Sequence, residues 1–108
     1  MDKKELSPEF PNFKITRVII SADNKYFLIG SDEGKVYILS QANIHEFGVV
    51  RREEKSPVSD MISYIDRHKL KIVVTHKNGN INFFECVNLN INYEFHVEAR
   101  KDKEIYMP

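Results

Sequence analysis

The sequence predicts an all-β chain made of two similar four-stranded units. Three observations lead there: short apolar runs recur about every ten residues, turn formers separate them, and one stretch has an echo. GSDEGKVYILS at 30–40 is matched 45 positions later by THKNGNINFFE at 75–85.

The runs, in order, are KITRVIIS at 14–21, KYFLIGS at 25–31, KVYILS at 35–40 and EFGVVRRE at 46–53. A second set follows: VSDMISYI at 58–65, KLKIVVTH at 69–76, NINFFECV at 80–87 and NINYEFHVEA at 90–99. Val, Ile, Tyr and Phe dominate them, and these side chains suit a pleated, half-buried surface. No window holds a helical period over twelve residues; the nearest exception is QANIHEF at 41–47, which fits one helical turn. Turn signals stand at Ala22-Asp23-Asn24, Asp32-Glu33-Gly34, Ser56-Pro57, Asp66-Arg67-His68 and Lys77-Asn78-Gly79. Gly34 and Gly79 can take the positive φ of a tight hairpin without steric cost, and Asn-Gly is the strongest short hairpin signal in the chain. This divides the chain into an irregular lead-in at 1–13, a first unit at 14–55, a second at 56–99 and a tail at 100–108.

A chain of 108 residues is one domain's worth of sequence. With 42% hydrophobic and 30% charged residues, it is too apolar for a disordered segment. Sixteen basic and sixteen acidic residues cancel, so no global field draws the chain to nucleic acid or an anionic membrane. Cys86 lies in an apolar run without a partner cysteine, which reads as a small core residue rather than a reactive thiol. The opening MDKKELSPEFPNFK has no apolar core of a signal peptide, and no apolar run approaches the roughly 18 residues of a membrane span. A cytoplasmic location is the expectation.

Sliding the chain on itself by 45 aligns 19–40 with 64–85 without a gap. Ile20 meets Ile65, Phe27 meets Ile72, Leu28 meets Val73, Gly34 meets Gly79, Ile38 meets Phe83 and Leu39 meets Phe84. A period near 40 to 45 with four strands per unit is the mark of a propeller blade. VIISADNKYFLIGSDEGKVYILS resembles the first three strands of a WD40 repeat, with its serine, polar turn, small residue and closing Asp-x-Gly hairpin; the second unit resembles it less closely. The Gly-His pair before the first strand is missing from both units, and Leu39-Ser40 and Phe84-Glu85 replace the closing Trp-Asp. The units therefore read as degenerate WD-like blades, and the hydrogen-bonded tetrad of complete repeats does not carry over.

The runs FLIG, VYIL, IVV and FF are apolar on both faces, so their strands need cover on both sides. Two blades cannot close a ring, since propellers have about four to eight. If a terminal blade exposed about 500 Å² of apolar flank, the missing burial would be worth about 12 kcal/mol, as much as the whole stability of an ordinary domain. Three resolutions stay open: the chain is part of a longer propeller, copies of it share one ring, or its eight strands close into a small barrel or sandwich. The apolar run begun at Ile105-Tyr106-Met107 favours the first.

Candidate chemistry is sparse. His45, His68, His76 and His96 never fall at a metal-ligand spacing, and Cys86 has no second cysteine to join it, so no metal or other cofactor is expected. There is no G-x-S-x-G elbow, and the four glycines are too scattered to cradle a phosphate. An enzyme is not expected. The mixed-charge run Val50-Arg51-Arg52-Glu53-Glu54-Lys55 joins the two units, and inter-blade loops lie on a propeller's face. Arg51, Arg52, His76 and Lys77 are the expected partner-binding rim. The function that the resemblance implies is a non-catalytic scaffold for protein–protein binding, its partners being other proteins, further blades of one propeller or copies of the chain. The alternative is a small β-barrel binding nucleic acid through Tyr37, Phe83 and Phe84, although core packing accounts for these aromatics better.

Overall fold

The computed structural model describes residues 14–50 and 54–99, most of them in eight strands. These are β1 (Ile15–Ile20), β2 (Tyr26–Ser31), β3 (Val36–Ser40), β4 (Phe47–Val49), β5 (Val58–Asp66), β6 (Lys69–His76), β7 (Ile81–Val87) and β8 (Asn90–Val97). Each falls on one of the expected runs, β4 covering the smallest part of its own. The lead-in at 1–13, the tail at 100–108, Arg51 and Arg52 lie outside the described residues.

No helix forms among the described residues. At 41–47, side chains offer the backbone another partner: Ser40 Oγ accepts from the Asn43 amide at 3.2 Å and Asn43 Oδ1 from the His45 amide at 3.0 Å. Such local bonds compete with a helical turn and here displace it.

The strands pair in chain order, all antiparallel, as two sheets: β1-β2-β3-β4 and β5-β6-β7-β8. No pairing joins the sheets among the described residues, so of the expected alternative of a small closed barrel or sandwich the closed barrel is not formed. They meet instead face to face. Leu28, Val36, Ile38 and Val50 of the first unit share one core with Val58, Met61, Leu70, Ile72, Val74, Phe84 and Cys86 of the second. Alternation explains the choice of residues: along β6, Leu70, Ile72, Val74 and His76 point in and are buried, while Lys69, Lys71, Val73 and Thr75 point out. Two polar contacts add to the apolar ones. Arg17 Nε donates to Asp60 Oδ1 at 2.9 Å, and the Ala22 amide donates to Ser63 Oγ at 2.8 Å.

The central hairpins of the two sheets are the same object. Tyr26↔Ser40, Phe27↔Leu39 and Leu28↔Ile38 in β2–β3 become, with 45 added to each number, Lys71↔Glu85, Ile72↔Phe84 and Val73↔Phe83, which are the pairs of β6–β7. The turns repeat too. Ser31 N donates to Lys35 O (3.0 Å) and Gly34 N to Ser31 O (3.2 Å); His76 N donates to Asn80 O (2.9 Å) and Gly79 N to His76 O (2.8 Å). Gly34 and Gly79 hold φ at +86° and +92°, the left-handed region that favours glycine.

The first strands follow a different offset. Ile15↔Ser31 and Arg17↔Gly30 in β1–β2 correspond to Val58↔His76 and Asp60↔Thr75 in β5–β6, each with a bulge between its two pairs. The shift is 43 positions for β1 and 45 for β2. Ile20 therefore corresponds to Ser63 rather than to Ile65, correcting the gapless alignment. The cause is the length of the hairpin: six residues lie between Ile20 and Phe27, but eight between Ser63 and Ile72, where β5 and β6 pair for three more positions before the turn at Arg67 and His68.

That two-residue turn holds Arg67 at φ +53° and His68 at φ +70°, the pattern of a type I′ hairpin. Neither residue favours it, since left-handed backbone costs a side-chain-bearing residue about 1–2 kcal/mol. Arg67→Asn combined with His68→Gly is expected to raise stability by about 1 kcal/mol, read as a higher urea midpoint.

The repeat fixes which faces meet. Leu28 and Ile38 face the second sheet and are fully buried, yet their equivalents Val73 and Phe83 face away from the first. Conversely Phe27 and Leu39 face away, and their equivalents Ile72 and Phe84 lie in the shared core. The sheets stack front to back, not front to front.

Both outer faces are consequently apolar. On the first sheet, Val18, Ile29, Tyr37 and Val49 form one row across four strands, and Ile20, Phe27, Leu39 and Phe47 the next; Tyr37 in the first row is itself buried, 3% exposed. On the second, Ile62, Val73, Phe83 and Phe95 form a row, with Ile81 and Val97 beside it. Phe83 and Phe95 stack with ring centroids 4.3 Å apart.

Candidate interaction site

The richest polar cluster sits where the first unit hands the chain to the second. Ser56 and Glu54 arrive there from the connection, and the β6–β7 hairpin supplies His76, Asn78, Asn80 and Asn82. Asn78 Oδ1 accepts from the Asn80 amide at 3.0 Å, closing a local turn of the kind asparagine favours. Strand alternation beyond the turn then brings the amides of Asn80 and Asn82 towards one carboxylate. Glu54 Oε2 accepts from Asn78 Nδ2 (3.2 Å) and Asn80 Nδ2 (3.3 Å), and Oε1 from Asn82 Nδ2 (3.2 Å).

Burial pushes the Glu54 carboxyl up, but the hydrogen bonds from Asn82, Asn78 and Asn80 and the nearby His76 ring outweigh it, so its pKa lies below the ordinary value. A carboxylate whose folded pKa is depressed stabilises the fold above its unfolded pKa. That contribution is lost as pH falls below about 4.5 and through the folded value. Glu54→Gln is therefore expected to flatten the fall of the urea midpoint between pH 5 and acid on the order of pH 3, relative to the unsubstituted chain; parallel curves would contradict this role.

Of the four rim residues expected from the sequence, the structure brings two together and separates them by burial. Lys77 is exposed at the turn, its amide donating to Pro57 O at 2.9 Å. His76 is buried, 4% exposed, with Nδ1 2.8 Å from the Ser56 carbonyl. A carbonyl can only accept, so Nδ1 carries the proton and the ring ties the second sheet to the connection. Arg51 and Arg52 lie outside the described residues, as does Glu53. Sequence reasoning missed Glu54 and its three asparagines. The signal was present as N-G-N-I-N at 78–82, where alternate residues of an emerging strand share a side.

The outer face of the second sheet also carries a compact charge cluster. Lys71 Nζ lies 2.7 Å from Glu94 Oε2 and 3.5 Å from Glu85 Oε1, and Lys69 Nζ lies 3.3 Å from Glu85 Oε2. Two cations meet two carboxylates, leaving the apolar row beside them without a net field.

A cleft of about 610 Å³ opens between the sheets at the β5–β6 turn, lined by Asp23, Lys25, Tyr26, His68, Lys69 and Cys86 among others. It holds no activated nucleophile in Cys86. Burial pushes that thiol up to about 11, aided by the charge of Asp23, and its S–H donates to Asn88 O at 2.9 Å. No group of three or more His, Cys, Asp or Glu side chains could hold a metal ion among the described residues, and no helix among them is long and apolar enough to cross a membrane. Every buried side-chain nitrogen or oxygen among them has a hydrogen-bond partner. No family model matches the sequence, and no curated protein or solved structure matches it either.

Proposed function

We propose that the chain is a pair of degenerate WD-like propeller blades acting as a non-catalytic scaffold for protein–protein binding in the cytoplasm. The observation that carries this reading is the front-to-back stacking of two repeated four-stranded sheets. Repetition with non-equivalent faces is how propeller blades follow one another. It also leaves each outer face shaped like a face that is already covered elsewhere in the molecule.

In this reading the sheets supply the packing and the turns supply recognition. Lys77 and the asparagine turn stand at the end of the β6–β7 hairpin, and Asp32 and Glu33 stand at the same place on β2–β3. Polar turns on one rim of a rigid sheet stack suit a protein partner, because the scaffold fixes them at little entropic cost on binding.

The test is capture. The immobilised chain, exposed to an extract of its source cells with nucleic acids left intact, is expected to retain a defined protein, and Lys77→Glu with Asn78→Asp to release it. Retention of nucleic acid alone, weakening steeply with salt, would replace the scaffold with the nucleic-acid reading.

A further inference from the structure

We propose that a second copy of this chain covers the outer sheet faces, the outer face of the second sheet of one copy docking on the outer face of the first sheet of the next. The inference rests on the blade reading and goes beyond it by naming the occupant and its polarity.

The template is the contact inside the chain. There, the face of the first sheet bearing Leu28 and Ile38 packs on the face of the second bearing Ile72 and Phe84. The repeat maps the first of these faces onto Val73 and Phe83, on the outside of the second sheet. It maps the second back onto Phe27 and Leu39, on the outside of the first. A contact between copies from the Val73–Phe83 face to the Phe27–Leu39 face would thus repeat, position by position, a packing that the fold already makes once.

Charge agrees with shape. Arg17 and Asp60 bridge the two sheets within the chain, and both are half exposed, 51% and 55%. They also occupy equivalent places, 43 positions apart, each just past the bulge of its strand. In the repeated contact, Asp60 takes the place of Arg17, and Arg17 of the next copy takes the place of Asp60. Opposite charges meet again. A front-to-front pairing of two copies would instead set Arg17 towards Arg17 or Asp60 towards Asp60, a like-charge juxtaposition that opposes it.

A head-to-tail contact of this kind closes into a ring when the rotation allows, and otherwise grows. With two blades per chain and about four to eight blades in a closed propeller, two to four copies make the ring.

The experiment blocks one face at a time. Ile62→Glu with Phe95→Glu alters only the outside of the second sheet, and Val18→Glu with Ile20→Glu only the outside of the first; all four side chains are about half exposed or more. The unsubstituted chain is expected at two to four times 12.7 kDa by light scattering. Each variant alone is expected at 12.7 kDa, and their equimolar mixture at twice that mass. If a double variant loses its strand signal in circular dichroism, Phe95→Glu and Ile20→Glu singly replace it. A monomeric unsubstituted chain overturns the proposal, as does a folded single-face variant that still pairs with itself. Neither result touches the scaffold reading, which stands or falls on retention of a protein by the immobilised chain.

Discussion

Gly34→Ala is expected to cost more than about 3 kcal/mol, enough to unfold much of the chain, and Gly79→Ala roughly half of that or less. Both glycines hold positive φ, so both substitutions carry the left-handed strain of about 1–2 kcal/mol. The difference lies in what a methyl group would meet. At Gly34 it would lie 1.8 Å from the Glu54 carbonyl oxygen and 2.7 Å from that of Ser56, both backbone atoms of the connection between the sheets. At Gly79 it would lie 2.8 Å from the Ala99 side chain, the next nearest atom being 3.9 Å away. Two backbone oxygens must therefore move at Gly34, the nearer by well over an ångström, whereas at Gly79 a small shift of Ala99, whose amide donates to Asn80 Oδ1 at 2.9 Å, relieves the contact. Urea denaturation of the two variants side by side checks this, and equal midpoints would show that the connection does not press on the first hairpin.

Ile38→Ala should destabilise the chain by about 2–5 kcal/mol, the range for emptying a fully buried aliphatic site. Phe83, its equivalent 45 positions on, is the larger side chain, and a rule based on size alone would rank it first. Yet Ile38 lies at 0% exposure between the sheets, whereas Phe83 is half-buried on the outer face, held chiefly by its stack on Phe95. Phe83→Ala is expected to cost about 1–2 kcal/mol in dilute chain, from the lost stack and partial burial. Its larger effect falls on association between copies. Denaturation at low chain concentration separates the two, and a Phe83→Ala loss matching that of Ile38→Ala would mean that the outer face is already covered within the chain.

Most of the architecture was legible because strands of this kind advertise themselves. The runs around Phe27-Leu28-Ile29 and Val36–Leu39 are apolar on both faces, and that pattern has few solutions other than a sheet covered twice. The equivalence of Gly34 and Gly79 was legible for the same local reason: only a glycine suits the turn, and it stands at the same distance from each flanking strand. The offset of the first strands was not. VII at 18–20 and SYI at 63–65 are both compatible with a strand, so a gapless slide matched them by composition, while the pairing follows a β5–β6 hairpin two residues longer than its counterpart. The buried state of His76 was also hidden. Beside Lys77-Asn78-Gly79 an imidazole reads as exposed, but its place is that of Ser31, which the fold buries fully at the foot of the first hairpin. Glu54 sits in a charge run that looked like a solvated connection. Its role depends on three asparagines 24 to 28 positions away, a distance over which sequence carries no contact information.

The proposed assembly rests on one consequence of the front-to-back repeat, that a second copy of the chain covers its outer sheet faces. The mass of the intact chain in solution, followed by light scattering from dilute to concentrated samples, tests that consequence most directly. The account predicts a defined species at two, three or four times 12.7 kDa that persists on dilution into the micromolar range, about the level expected of a specific interface. A well-folded, stable species at 12.7 kDa across the same range would contradict it.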